Sequence, residues 1–374
     1  MNERESRMAL CSVVEPGNVE VAALVAEHGG AAVWSSLLAP ASRSRWAARA
    51  RAFDLAAVEQ ATARHRLRFI IPGDDEWPAA LNDLDGCEPV QLMGGNPFGL
   101  WLKGTAGLAE LAQRSVAIVG SRAATPYGQS VATDLAAGLG SHGISVISGG
   151  AYGIDAAAHQ GALAVDAPTV AVMAAGLDRP YPSGNTALLH RVASHGLLVS
   201  ELAPGEHPTR VRFLARNRLI AALSPATIIV EAAHRSGARN TVSWTNACHR
   251  VVLAVPGPVH SANSVTPHRL IRESEAVLCS SVEDVLELVR PLGRQVSVRP
   301  IQRRPLDALS AEELTVYEAL PARGALASGE VSLRSGMALG TCLGVLDRLT
   351  DHGLVSYGSA GWRLAQVPVT RAGD

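Results

Sequence analysis

Residues 115–163 read SVAIVGSRAATPYGQSVATDLAAGLGSHGISVISGGAYGIDAAAHQGAL. Val116 to Val119 is a short, wholly apolar run, as expected of a parallel strand buried on both faces. Gly120-Ser121-Arg122 follows, and a helical pattern opens near Pro126, a residue suited to the first turn of a helix. A second apolar run, 144–147, leads into Ser148-Gly149-Gly150-Ala151-Tyr152-Gly153, and another helix is predicted from Asp155. Two small, glycine-rich strand-to-helix turns therefore stand at the carboxyl ends of adjacent strands. In a doubly wound sheet ligands bind there. Glycines let the backbone approach a ligand, and helix N-termini offer free N–H groups with partial positive charge. Arg122 adds a guanidinium whose fork matches a phosphate. The stretch carries neither GxGxxG nor GxxxxGK[ST], so the expected ligand is a phosphate held by other means.

Working outward, the strand–helix alternation continues downstream. Apolar runs at 169–173, 197–200, 227–230, 251–255 and 276–278 read as strands, and 185–195, 213–221, 241–249 and 282–289 as helices. With the first two strands this makes seven, and predicts a doubly wound, mainly parallel α/β sheet spanning 63–290. Upstream, 69–71, 90–93 and 100–103 are predicted short strands ahead of that sheet. Residues 1–62 read as a helical domain, with periodicity over 18–28, a break at Gly29-Gly30, and helical patterns over 32–38 and 42–63. Arg43, Arg45, Arg49 and Arg51 surround Trp46 in the last of these, and a solvated helix face is favoured there over a nucleic-acid surface.

Residues 291–305, PLGRQVSVRPIQRRP, lack periodicity and read as a linker. Three helical patterns and a hairpin follow over 306–366, the order of a winged helix, and 367–374 form a tail.

With 374 residues, two or three domains are expected. The five cysteines (Cys11, Cys87, Cys248, Cys279 and Cys342) show no metal-ligand spacing, which predicts buried thiols in a reducing compartment. No leader pattern or run of membrane-spanning length is evident, so a cytoplasmic protein without membrane contact is expected.

The formal net charge is only −1, but its distribution is uneven. Between His207 and Arg272 stand nine arginines (210, 212, 216, 218, 235, 239, 250, 269 and 272) against a single acid, Glu231. That run predicts a basic surface near the carboxyl edge of the sheet, fit for a nucleic-acid backbone. The competing reading is that these arginines pair with acids elsewhere in the chain. The 307–364 segment has the opposite balance, seven acids to four arginines, and its recognition-helix position carries only Arg348 between Asp347 and Asp351. A protein-contact or packing role is predicted for it.

Catalytic constellations are weak. Asp155 and His159 lie four apart on one helix face without a third ligand, and are read as a helix-capping carboxylate and a hydrogen-bonded histidine. Glu201 and Glu231 each end a strand and are expected to hold loop amides or an arginine. Ser121 has no His/Asp partner in sequence. No metal or cofactor is predicted.

Several ordered motifs resemble one family. Ile118-Val119-Gly120-Ser121-Arg122, Ser148 to Asp155, Ala158-His159, Tyr181-Pro182, Ser200-Glu201, Arg216-Asn217-Arg218, Val230-Glu231-Ala232, Ser236-Gly237 and Val255-Pro256-Gly257 are similar to the core of the DNA-processing protein A (DprA, also Smf) family. The resemblance implies a Rossmann-like core at 63–290, flanked by a SAM- or helix-hairpin-helix-like domain at 1–62 and a winged helix. It also implies a non-enzymatic, homodimeric single-stranded DNA binder that helps load the RecA recombinase in DNA uptake and recombination. The DNA-contacting residues it implies are Gly120, Ser121, Arg122, Gly149, Gly150, Gly153, Arg216, Asn217, Arg218, Ser236, Gly237 and Arg239, supported by Asp155, His159, Glu201 and Glu231. Bases are expected to stack on Phe213 or Tyr152. The chain departs from the family at Tyr152, where arginine is common, at Leu214-Ala215 and at 264–268, and weaker DNA binding is expected from that. A nucleotide-processing, phosphoribohydrolase-like enzyme is the alternative, although its usual PGGxGT signature is absent.

Overall fold

The computed structural model describes residues 1–289 and 305–365. The chain forms two compact units, Met1–Ser297 and Val298–Asp374. The predicted linker, apart from Pro305, and the predicted tail lie outside the described residues.

In the first unit nine strands form one sheet among the described residues. They are β1 (Arg68–Ile70), β2 (Leu100–Lys103), β3 (Ser115–Val119), β4 (Ser145–Ser148), β5 (Thr169–Met173), β6 (Leu197–Ser200), β7 (Ala226–Ile229), β8 (Val251–Ala254) and β9 (Val277–Leu278). Their order is β1-β2-β6-β5-β4-β3-β7-β8-β9. All neighbours from β6 to β9 are parallel, so the seven strands expected of the main sheet are present. β1 and β2 extend the same sheet with antiparallel pairings instead of preceding it. The strand expected at 90–93 is a tight turn: Val90 N–H donates to Met93 O at 3.0 Å and Met93 N–H to Val90 O at 3.1 Å.

β3 to β7 are buried along their whole length, which explains their unbroken apolar composition. The pleat divides their side chains between two layers. Ala117, Val119, Ile147, Val170 and Val172 pack with Leu219, Ile220, Val242 and Trp244 of the helices Arg210–Ala222 and Ala238–Ala247. Val116, Ile118 and Val146 face the helices Pro126–Ser141 and Ile154–Ala164 through Leu135, Leu139 and Ala158. The same face of β5 and β6 is covered by Leu10, Val13, Trp34 and other residues of the N-terminal helices, so those helices share the core of the sheet. The helical pattern over 42–63 is broken into Ala47–Arg51 and Leu55–Arg64, because Asp54 caps the second helix by accepting from Ala57 N–H at 3.1 Å.

The second unit contains helices Ala311–Ala319, Ser328–Ser335 and Leu339–Asp351, followed by the hairpin β10 (Val355–Gly358) and β11 (Gly361–Leu364). Val316, Val331, Val345, Leu349 and Trp362 form a core of its own. Among the described residues no single helix is long and apolar enough to cross a membrane.

Candidate nucleic-acid interface

The chain order of the sheet creates the site. From β3 the strands advance to β4, β5 and β6 on one side, and the chain then returns to place β7 on the other side of β3. Connections leave β3 and β7 in opposite directions, so their carboxyl ends open a crevice. A cleft of about 1130 Å³ lies there. It is lined by Gly120, Ser121 and Arg122 after β3, by Ser236, Gly237 and Arg239 after β7, and by Arg216 and Asn217. The helices Arg210–Ala222 and Ala238–Ala247 both begin at its wall, with Thr209, Arg210, Gly237 and Ala238 among the lining residues. Two helix N-termini thus add partial positive charge to it.

The turns interlock. Ile154 N–H donates to Ser121 O at 3.2 Å, and Gly153, with φ +76°, leaves no room for a Cβ against that carbonyl. Ser121 N–H donates to Glu231 O at 2.6 Å, and Ala123 N–H to Ser121 Oγ at 3.2 Å. Ala151 N–H donates to Asp155 Oδ2 at 3.3 Å. Of the turn amides expected to approach a phosphate, those of Ser121 and Ala151 are engaged inside the chain. Guanidinium groups supply the full positive charges at the cleft.

Arg216 is 6% exposed and sits at the base of the cleft, donating to Gly149 O at 2.7 Å and also to Val172 O. A Cβ on Gly149 would overlap its guanidinium, so a side chain there would displace Arg216 from this position. Burial pulls its pKa down to about 10, with Asp155 opposing that shift and Arg122 adding to it, so Arg216 stays charged at neutral pH. Burial raises the pKa of Asp155, while the charge of Arg216 holds it back. Arg122 is exposed, and its guanidinium lies 4.6 Å from the Phe213 ring centroid. Arg216 approaches the same ring at 5.9 Å. Phe213, expected to stack a base, is therefore already flanked by two cations. Tyr152 is 47% exposed, with its hydroxyl accepting from Gly184 N–H at 3.2 Å.

The nine arginines of 207–272 divide cleanly. Arg212 pairs with Glu15 and Glu206, Arg218 with Glu201, Arg250 with Asp83, and Arg269 and Arg272 with Glu273. Arg210, Arg216, Arg235 and Arg239 form no ion pair among the described residues, and all four line the cleft beside Arg122. The acid-pairing reading thus holds for five of the nine, and the other four gather around the cleft.

Arg218 is the correction. Expected to line the groove, it is 1% exposed and grips Glu201 through two contacts of 2.6 and 2.5 Å. It lies two residues beyond Arg216 in one helix, a rotation of about 200° at 3.6 residues per turn, which turns it away from the cleft. Gly149, Gly150 and Gly153 also stand outside the lining: Gly149 packs on the Arg216 guanidinium, Gly150 on Leu189 and Met173, and Gly153 on the first turn. Glu231 is 2% exposed, and its carboxylate accepts from Thr125 N–H at 2.9 Å and Thr125 Oγ1 at 2.6 Å, securing the start of the helix Pro126–Ser141.

His159 is fully buried. Thr169 Oγ1 donates to Val146 O at 2.7 Å and accepts from His159 Nδ1–H at 2.8 Å, leaving Nε2 buried without a partner. Burial, with the charge of Arg216, drives the imidazole pKa down to about 3. The folded state thus binds this proton far less readily than the unfolded chain. Stability from this group is complete above pH ~6.5 and is lost progressively as the pH falls towards 3. His159→Gln is expected to flatten the acid limb of the stability–pH curve, by up to about 1.4 kcal/mol per pH unit. Urea unfolding at pH 4, 5, 6 and 7 would measure it, and parallel curves for both proteins would refute it.

The family model described as DNA recombination-mediator protein A matches residues 68–290. A putative DNA processing protein DprA of Mycobacterium tuberculosis H37Rv is 47% identical over 307 residues, covering 82% of this chain and 79% of the relative. The chain belongs to the DprA/Smf family. Family likeness extends to solved structures. DNA processing protein A from Streptococcus pneumoniae superposes with TM-score 0.64 at 29% identity, over 77% of this chain and 98% of that one. DNA processing protein A from Helicobacter pylori, described for its single-stranded DNA binding mode, gives TM-score 0.51 at 26% identity over 60% and 96%.

Sequence reasoning did not single out Arg210, Arg235 or Gln91 as site residues, yet all three line the cleft. The signal for the two arginines was their place beside the Thr209 helix cap and beside Ser236-Gly237. For Gln91 there was none.

Proposed function

We propose that this protein is a single-stranded DNA-binding recombination mediator that acts without turnover. In this reading the phosphates of an unpaired strand lie along Arg122, Arg210, Arg235 and Arg239, with Arg216 at the base of the cleft. Its further steps are protection of incoming DNA, delivery to a RecA recombinase, and action as a cytoplasmic homodimer. The observation that carries the reading is the gathering of every unpaired arginine of the 207–272 run around one cleft. Membership of the family and likeness to the H. pylori protein support it.

The enzyme reading draws no support from Glu231, whose two carboxylate oxygens are both occupied by Thr125. The Val298–Asp374 unit, with the element order of a winged helix, serves here as a protein-contact or packing module. Its one recognition-helix arginine, Arg348, is tied to Glu313 at 3.1 Å.

Fluorescence anisotropy with single- and double-stranded oligonucleotides, each with and without RecA, tests the proposal. Tighter binding of the single strand and faster RecA filament growth on it are expected. Equal affinity for duplex, or release of free base from nucleoside monophosphates, would overturn it.

A further inference from the structure

We propose that the Gln91-Leu92 turn is a base-contacting element at the rim of the cleft, with Leu92 as an apolar wedge for an unpaired base. The inference deepens the single-stranded DNA reading and rests on it. Its starting point is a conflict between residue type and backbone. Val90 and Met93 close a two-residue turn whose central residues, Gln91 and Leu92, have φ +53° and +65°. That is the pattern of a type I′ turn, which Asn-Gly occupies freely and a branched apolar side chain only against steric resistance. Burial does not compensate, since Leu92 is 93% exposed.

The surroundings hold the turn in place. Gly94 N–H donates to Gly17 O at 3.0 Å, and Asn18 bridges to Met93. On the cleft side, Asn240 Nδ2 donates to Gln91 Oε1 at 3.4 Å, while Asn240 Oδ1 accepts from Asn217 Nδ2 at 3.1 Å. Gln91, Asn217 and Asn240 all line the cleft. The strained pair is thus fixed at the edge of the cationic crevice.

Strain retained at a fixed position beside a binding cleft points to a role in binding. An exposed leucine in that conformation gains nothing for the fold, so its partner lies outside the chain. Among nucleic-acid ligands an unpaired strand supplies that partner. With its phosphates on the arginines, it presents free apolar base faces at the rim. A duplex keeps those faces stacked, and the wedge then favours single over double strands. Other apolar side chains serve as wedges against base faces in the same manner.

Anisotropy of the full chain on labelled oligo(dT), and on an abasic strand of equal length, over a series of salt concentrations is the test. Leu92→Asn and Leu92→Gly, which both accept the left-handed backbone, are expected to weaken oligo(dT) binding about tenfold. Their salt slope should stay at the wild-type value because no phosphate contact is lost. Both variants should melt at or above the wild-type temperature. Leu92→Met should bind oligo(dT) as wild type does, and on the abasic strand all four proteins should bind alike.

Wild-type affinity in Leu92→Gly and Leu92→Asn, with normal binding by the wild-type protein, overturns the wedge alone. A weaker variant with a flatter salt slope or lower melting temperature overturns it too, since the turn would then act through the arginines or the fold. Failure of the wild-type protein to bind any single strand overturns the cleft reading and the wedge together.

Discussion

Replacing Arg218 by alanine is expected to lower stability by about 3–5 kcal/mol, the largest single-residue effect foreseen here. Arg218 is 1% and Glu201 6% exposed, so the substitution leaves a buried carboxylate without its partner. It also removes the Arg218 Nε donor from Gly95 O, a contact of 3.1 Å that ties this helix to the segment before β2. A fall in Tm of roughly 10 °C should be seen by differential scanning calorimetry. The double change Arg218→Met with Glu201→Leu should recover much of the loss, because well-packed apolar residues often replace a buried ion pair at little cost. Below the melting transition the salt slope for oligonucleotide binding should stay at the wild-type value, since Arg218 faces away from the cleft. A stable Arg218→Ala protein with weakened DNA binding would put this residue back in the groove.

The second large effect concerns the cleft. Arg122, Arg210 and Arg239 are exposed and have no ion-pair partner among the described residues. Their simultaneous replacement by alanine should reduce single-stranded DNA affinity on the order of a hundredfold at low salt. The slope of log K against log salt should become shallower by about 2, because each phosphate contact on a single strand contributes about 0.7. The fold should be little affected. Arg122 gives up its stacking on Phe213, but none of the three bridges a buried acid. An unchanged slope would remove the cleft from the DNA path altogether.

Much of this was legible in the chain. Short apolar runs named all seven parallel strands, because a strand buried on both faces tolerates few polar residues. Of the two glycine turns, the one after β3 lines the cleft through Gly120, while the glycines after β4 serve the packing beneath it, Gly149 against the Arg216 guanidinium and Gly153 against the Ser121 carbonyl. Glu231 holds the Thr125 amide and hydroxyl, and His159 is hydrogen-bonded to Thr169, the local contacts expected of a strand-end carboxylate and a helix histidine. Other features could not be seen at short range. The turn at Gln91-Leu92 reads as strand because its residues are apolar or neutral, and only long-range anchoring holds them at positive φ. The antiparallel addition of β1 and β2 depends on pairing with β6, about a hundred residues downstream.

What the sequence determined by itself was the alternation of strands and helices, the family, and the presence of a one-signed arginine run near the carboxyl edge. What only the tertiary structure decided was which of those arginines remain available. Arg212 meets Glu15 and Arg218 meets Glu201, acids 197 and 17 residues away along the chain. A guanidinium is free or bound according to what the fold brings within about 4 Å of it, and a charge count along the sequence holds no record of that distance.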